Sequence, residues 1–168
     1  MGTRRLTLLR HGQAQSVEPD AEDFERPLTR RGLVEAREMA TRIVRRRMIP
    51  DLILVSPADR TWSTAEILAA ACEIDLSAVQ CARELYLATP ESTWQLLERQ
   101  SAALRHILIC GHNPGLSELA SRFGPKPQRR VLPTGGLASA VWYAQGWEML
   151  EPELAVKCEM DDPERMGD

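Results

Sequence analysis

The sequence predicts an α/β fold, a three-layer sandwich in which helices cover both faces of a mainly parallel central sheet. Three observations carry that prediction. Short apolar runs recur at 6–9 (LTLL), 52–55 (LILV) and 107–110 (ILIC). Each is too short for a helix and lacks the polar alternation of a half-exposed strand, as buried parallel strands do. Between them apolar residues recur every third or fourth position, as in Leu33, Ala36, Ala40, Val44 and Met48, or Trp62, Ala65, Leu68 and Cys72, the spacing of an amphipathic helix. Strands alternating with helices at this interval make right-handed crossovers, which place helices on both sides of one sheet.

Taken in order, the first strand ends in Arg10, His11 and Gly12. "RPLTRRG" at 26–32 precedes the first helix, and "RIVRRRM" at 42–48 spreads cationic side chains around its end, where a solvated basic face suits the helix dipole. The second strand is followed by Ser56 and Pro57, read as an N-cap with proline at the first helical position; Asn113 and Pro114 repeat the pair after the third strand. "LASAVWYA" at 137–144 and "WEMLEPELAV" at 147–156, linked through Gly146, read as a closing hairpin or as a parallel strand plus an edge strand. These elements make a single domain over 1–158. Residues 159–168 are acidic, lack an apolar face and are expected to form a flexible tail.

At 168 residues, 43% hydrophobic and 27% charged, the composition suits one globular core. No apolar stretch reaches the roughly 20 residues that span a bilayer. "MGTRRLTLLRHG" meets charge before a signal-peptide core could form, so no membrane partner and a cytoplasmic location are expected. A net charge of −3 argues against a nucleic-acid partner. Arginine nonetheless far outnumbers lysine, found only at Lys126 and Lys157, a bias that suits recognition of planar oxyanions. Cys72, Cys81, Cys110 and Cys158 show neither CxxC nor His-paired spacing. Buried thiols are therefore expected, with no disulfide framework, metal site or cofactor.

The strand tips carry the chemistry. Ligands of an open α/β sheet bind beyond the carboxyl ends of its strands, so Arg10-His11-Gly12, the segment from Ser56 to Arg60, and Gly111-His112-Asn113 are expected to converge. Two helix N-termini and the forked donors of Arg10 and Arg60 favour an anion, and a phosphoryl group fits them. His106 precedes its strand at the opposite end and is expected to be structural. A metal site built from His106, Cys110 and His112 would need ligands at both ends of one strand. A neutral imidazole is a competent nucleophile toward phosphorus, and the arginines would keep His11 unprotonated while holding the phosphate in line. Gly12 permits close backbone approach, and its carbonyl could fix the ring N–H.

In this order the motifs resemble the histidine phosphatase superfamily, the phosphoglycerate-mutase-like fold, and within it the SixA-type phosphohistidine phosphatases. "LLRHGQA" is similar to the nucleophile motif, "RPLTRRG" to the helix start that follows, and "LVSPADRTWSTA" to the family's SPxxRAxQTA stretch. "CGHNPGLSELA" resembles the second-histidine motif and "LPTGGLA" a late loop leading into a strand. The resemblance implies His11 as phosphoacceptor, Arg10 and Arg60 as phosphate ligands and His112 as the second histidine, with Gly12, Asn113 and Thr134 also around the phosphate. At 61–63 "TWS" departs from the usual small residue and glutamine.

Larger members carry a lid that supplies a proton donor, and residues 72–101 leave little room for one. Glu84 in "ARELY" is the nearest candidate acid, with surface or salt-bridge duty an equal reading. The implied activity is a metal-independent phosphatase acting on phosphohistidine in a protein. A phosphomonoesterase acting on a small phosphorylated substrate, with Glu84 as acid, and a non-catalytic phosphate-binding module are the alternatives. A phosphohistidine substrate would need little acid help, because the P–N bond broken resembles the one formed to His11. "FGPKPQRRVLPTGG" at 123–136 holds Lys126, Arg129 and Arg130 and reads as a basic rim for an acidic partner or as a solvated loop.

Overall fold

In the computed structural model, which describes residues 2–165, the three apolar runs lie side by side in a six-stranded sheet. The strands are β1 (Gly2–Arg10), β2 (Leu52–Val55), β3 (Val79–Cys81), β4 (His106–Gly111), β5 (Leu137–Ala144) and β6 (Lys157–Asp161), in the order β3-β2-β4-β1-β5-β6. Pairings among β3, β2, β4 and β1 are parallel, whereas β5 runs antiparallel to both β1 and β6. The register sets Arg10 opposite Gly111 and Val55 opposite Cys110, so the ends of β1, β2 and β4 stop level with one another.

Helices α1 (Arg30–Arg45) and α2 (Asp59–Ala71) cover one face, where Met39, Ile43 and Leu68 meet Leu9, Ile53 and Leu108. On the other face α3 (Pro90–Glu98) and α4 (Gly115–Ser121) bury Leu97, Leu116 and Leu119 against Leu6, Leu8, Ile107 and Ile109. Neighbouring residues of β1 thus serve opposite layers, as period-two strand geometry dictates. The predicted class, the mainly parallel sheet and the two-sided helical cover are all present. Thr29 caps α1 by accepting from the Gly32 N–H at 3.0 Å. No helix among the described residues is long and apolar enough to cross a membrane.

Several local expectations need correction. The buried stripe of α1 runs through Ala36, Met39, Ala40 and Ile43, leaving Val44 exposed. Arg42 is not part of a solvated basic face: its guanidinium is buried, pairs with Asp161 at 2.7 Å and donates to the carbonyls of Asp162 and Arg165 at 2.8 and 2.7 Å. That anchor also corrects the tail. Residues 159–161 complete β6, and 162–165 turn back onto α1, while 166–168 lie outside the described residues. Segment 147–156 forms two 3-10 turns rather than a strand. Pro152, which has no N–H to give a ladder, begins the second of these turns.

The proposed N-caps fail as well. α2 starts at Asp59 with Ala58 in the cap position. α4 starts after Pro114, and Asn113 spends its amide on Leu132 O and Ser117 Oγ instead. His106 is structural as expected, bonded to Thr7 Oγ1 at 2.9 Å and Ile49 O at 3.2 Å.

Candidate active site

The turn after β1 is pressed against the start of α1 by two glycines. A Cβ on Gly12 would stand 2.4 Å from Gly32 O, and one on Gly32 would stand 2.1 Å from Gln13 O. Only glycine allows this approach, and it lets Gln13 N–H reach Glu35 Oε2 at 2.8 Å while Gly12 N–H reaches Thr64 Oγ1 at 3.2 Å. His11 is thereby fixed from behind. Its Nδ1–H donates to Gly12 O at 2.7 Å, and its Nε2 accepts from Arg60 Nε at 3.3 Å. One set of bonds therefore defines the tautomer: the proton is on Nδ1 and the lone pair on Nε2.

Burial, more than charge, keeps this ring neutral. The His11 pKa is pushed down to about 4, first by desolvation, then by Arg60, Arg10 and Arg26, with the Gly12 carbonyl opposing. The arginines, from which the sequence predicts a neutral His11, are thus the smaller cause. His112, from the end of β4, stands edge-on to His11 with ring centroids 5.3 Å apart. Its Nε2 is held by Ser56 Oγ at 2.7 Å, and its Nδ1 is buried with no partner among the described residues. Burial, reinforced by His11, lowers its pKa to about 3.

Arg10, His11, Arg60 and His112 converge as predicted, and with Asn113 and Thr134 they border a cavity of about 280 Å³. Arg10 Nη1 is braced on Leu132 O at 3.0 Å, while its Nε is buried without a partner among the described residues. Gly12 contributes from behind the imidazole, through its carbonyl. Glu84 is not brought to the cavity. It is exposed and pairs with Arg99 at 3.2 Å, so a donor role for it has no geometric basis.

The structure adds residues that the sequence argument missed. Asp23 and Arg26 line the same cavity. Asp23 Oδ2 accepts from Arg60 Nη2 at 3.0 Å and from the Tyr86 hydroxyl at 2.6 Å, and its Oδ1 accepts from Arg26 at 2.9 Å. These donors hold its carboxyl far below the usual carboxylate range. Asp23 sits in the acidic run "DAEDFE", where nothing singles it out; Arg26 was visible in "RPLTRRG" and Tyr86 two residues after Glu84. Thr61, in the departing "TWS", is buried and bonds the carbonyls of Ser56 and Ala58 at 2.8 and 2.7 Å. It thus shapes the turn that presents Ser56.

Chemically, the cavity offers a neutral nucleophilic nitrogen, guanidiniums for a tetrahedral oxyanion and two uncommitted buried polar atoms, Arg10 Nε and His112 Nδ1. Among the described residues no group of three or more His, Cys, Asp or Glu side chains is arranged to hold a metal ion.

Comparison with known proteins bears on the family and the fold. The family model of the histidine phosphatase superfamily, branch 1, matches residues 6–118. A crystal structure from Agrobacterium tumefaciens, assigned as phosphohistidine phosphatase SixA, superposes with a TM-score of 0.77 at 29% identity, covering 95% of this chain and 99% of that one. The protein histidine phosphatase SixA in complex with tungstate gives 0.73 at 25% identity, over 81% of this chain and 86% of that one. An uncharacterized chloroplastic protein of Arabidopsis thaliana is 30% identical over 127 residues, which is 71% of this chain but 58% of that protein's length.

Proposed function

The chain belongs to branch 1 of the histidine phosphatase superfamily, and from that premise we propose that it removes phosphate from phosphohistidine in proteins, through a phosphoryl group carried transiently on His11. The observation that carries this reading is the doubly defined His11 ring, with Nδ1–H on Gly12 O and an unprotonated Nε2 beside Arg60. In the first step the Nε2 lone pair forms a new N–P bond as the substrate's P–N bond breaks. Water then attacks phospho-His11, and phosphate leaves. Arg10, Arg26 and Arg60 supply the positive charge, with His112 Nδ1 as a further partner for phosphoryl oxygens; Asn113, whose amide is held by Leu132 O and Ser117 Oγ, shapes the wall of the cavity instead. The solved relatives described as phosphohistidine phosphatases support the choice of substrate, and tungstate, bound by one of them, is an oxyanion of the expected kind.

The phosphomonoesterase reading relied on Glu84 as acid, and the pairing of Glu84 with Arg99 removes its basis. No observation favours a binding module. The test is turnover of a phosphohistidine peptide against a sugar phosphate under one condition, with and without a chelator. The peptide should be the better substrate, chelation should leave its turnover unchanged, and an acid-labile label should appear on His11. His11→Ala should lose turnover and labelling yet still bind inorganic phosphate. Activity near wild type in that variant would overturn the mechanism.

A further inference from the structure

Asp23 occupies a place that the mechanism so far does not use. Arg60 connects it to the nucleophile: Nε touches His11 Nε2 at 3.3 Å, while Nη1 and Nη2 hold the Asp23 carbonyl at 2.6 Å and its Oδ2 at 3.0 Å. A phosphoryl group seated on this guanidinium has the attacking nitrogen at one edge and a carboxylate at the other. The carboxylate is held still by Tyr86, whose ring stands edge-on to His112 and Phe24 at 5.5 and 5.4 Å. With its pKa far below the usual range it stays an anion and cannot act as a proton donor. Its Oδ1 accepts only from Arg26 among the described residues, which leaves a lone pair free on a residue that borders the cavity.

Resting on the phosphohistidine reading, we infer that Asp23 recognises the leaving group: its carboxylate accepts the N–H at the far ring nitrogen of the substrate's phosphohistidine and so favours the protonated ring. The chemistry turns on that proton. Breaking the P–N bond of an unprotonated phosphoimidazole expels an imidazolate, a strong base. With a proton on the other nitrogen, the same bond electrons return to the ring and neutral imidazole departs. His11 Nε2 gains the phosphoryl group, the proton stays on the leaving ring, and no general acid takes part. Gly12 O does for the His11 ring what Asp23 does for the substrate ring, and it favours the second step in the same way. An alkyl phosphate presents no such N–H, and a second anionic group beside its phosphoryl would face the carboxylate.

The experiment compares Asp23→Asn with wild type on a phosphohistidine peptide and on p-nitrophenyl phosphate, whose phenolate leaves without a ring N–H. Replacing the anionic acceptor by a neutral amide, which turns either a weaker oxygen acceptor or a repelling NH2 toward the ring N–H, predicts a fall of about 10- to 100-fold in kcat/KM on the peptide, at least about tenfold more than on the aryl phosphate. Titration with inorganic phosphate should show affinity kept or raised, since one competing anion has left Arg60. Equal losses on both substrates, lost phosphate binding, or full activity on the peptide overturn the inference. A wild-type protein that cleaves the aryl phosphate but not the peptide overturns the functional reading beneath it.

Discussion

Glu35 offers a demanding test of how the His11 turn is held. Its side chain is 6% exposed, Oε2 accepts the Gln13 N–H at 2.8 Å and Oε1 accepts Arg31 Nε at 2.9 Å. In Glu35→Ala a partly buried N–H loses its only acceptor among the described residues, which costs about 1–3 kcal/mol. The Arg31 side chain is 58% exposed, so losing that solvent-screened pair adds little. Glu35→Gln keeps an amide oxygen for Gln13 and should be destabilised by less than about 1 kcal/mol. Catalysis should separate the two variants further, because a nucleophile displaced by about 1 Å loses on the order of a hundredfold in rate. Urea unfolding gives the stabilities, and turnover of a phosphohistidine peptide gives the rates. If Gln proves as damaging as Ala in both assays, charge or packing at Glu35 matters rather than its bond to Gln13, and the reasoning fails.

The remaining expectations concern the charged groups around the site. Arg60→Ala should slow turnover by about 10²–10³, the usual effect of removing one preorganised donor; a loss below threefold would place Arg60 outside the reaction. Glu84→Gln should change turnover of a phosphohistidine peptide by less than about twofold, since an exposed ion pair with Arg99 contributes little; a loss above tenfold would return Glu84 to the site. Stability should fall as the solution is acidified. The folded pKa values of His11 and His106 are about 4, and that of His112 about 3, below the ordinary 6.5. Below 6.5 the unfolded chain therefore binds protons that the folded chain refuses. The stabilisation is complete above pH 6.5 and is lost as pH falls toward 4, with His106 alone worth about 3 kcal/mol. Urea midpoints between pH 7 and 4 measure this, and His106→Gln should flatten part of the slope; an unchanged midpoint across that range would contradict the assignment.

The fold was legible wherever burial acts on both faces of an element. LTLL, LILV and ILIC can be satisfied only inside a covered sheet, and their positions alone set the parallel core. Where a strand has one exposed face or edge, the signal is thinner. β6 carries it in "KCEMD", with Cys158 and Met160 packed on the core and Glu159 between them, but acidity on either side masks this alternation of two apolar residues. Pro152 lay in the segment expected to be a strand, and its missing N–H should have argued against that assignment. Arg42 was hidden by its neighbours. In a run of cationic side chains nothing local tells which one faces the acceptors at Asp161 and Asp162, because those acceptors are more than a hundred positions away.

The site divides along a similar line. Arg10, His11, Arg60 and His112 were legible because histidine is scarce in this chain and each residue stands at or just beyond a strand tip, where topology confers a shared location. Asp23, Tyr86, Ser56 and Glu35 act by holding those groups, and any acceptor or hydroxyl at the right place would serve. Their identity is common and their position is decided by loop paths. Glu84 shows the converse error: it has the right chemical type at a plausible spacing, yet its 3-10 turn directs the carboxylate toward Arg99 and leaves Tyr86, two residues on, to reach the cavity's Asp23. A carboxylate chosen by residue type was therefore replaced by one chosen by geometry, and the substitution changes the chemistry. Asp23 is held as an anion by its arginine and tyrosine donors, so it can favour a protonated leaving group but cannot protonate one. That restriction suits a P–N bond far better than a P–O bond to an alkoxide, which must take up a proton as it departs.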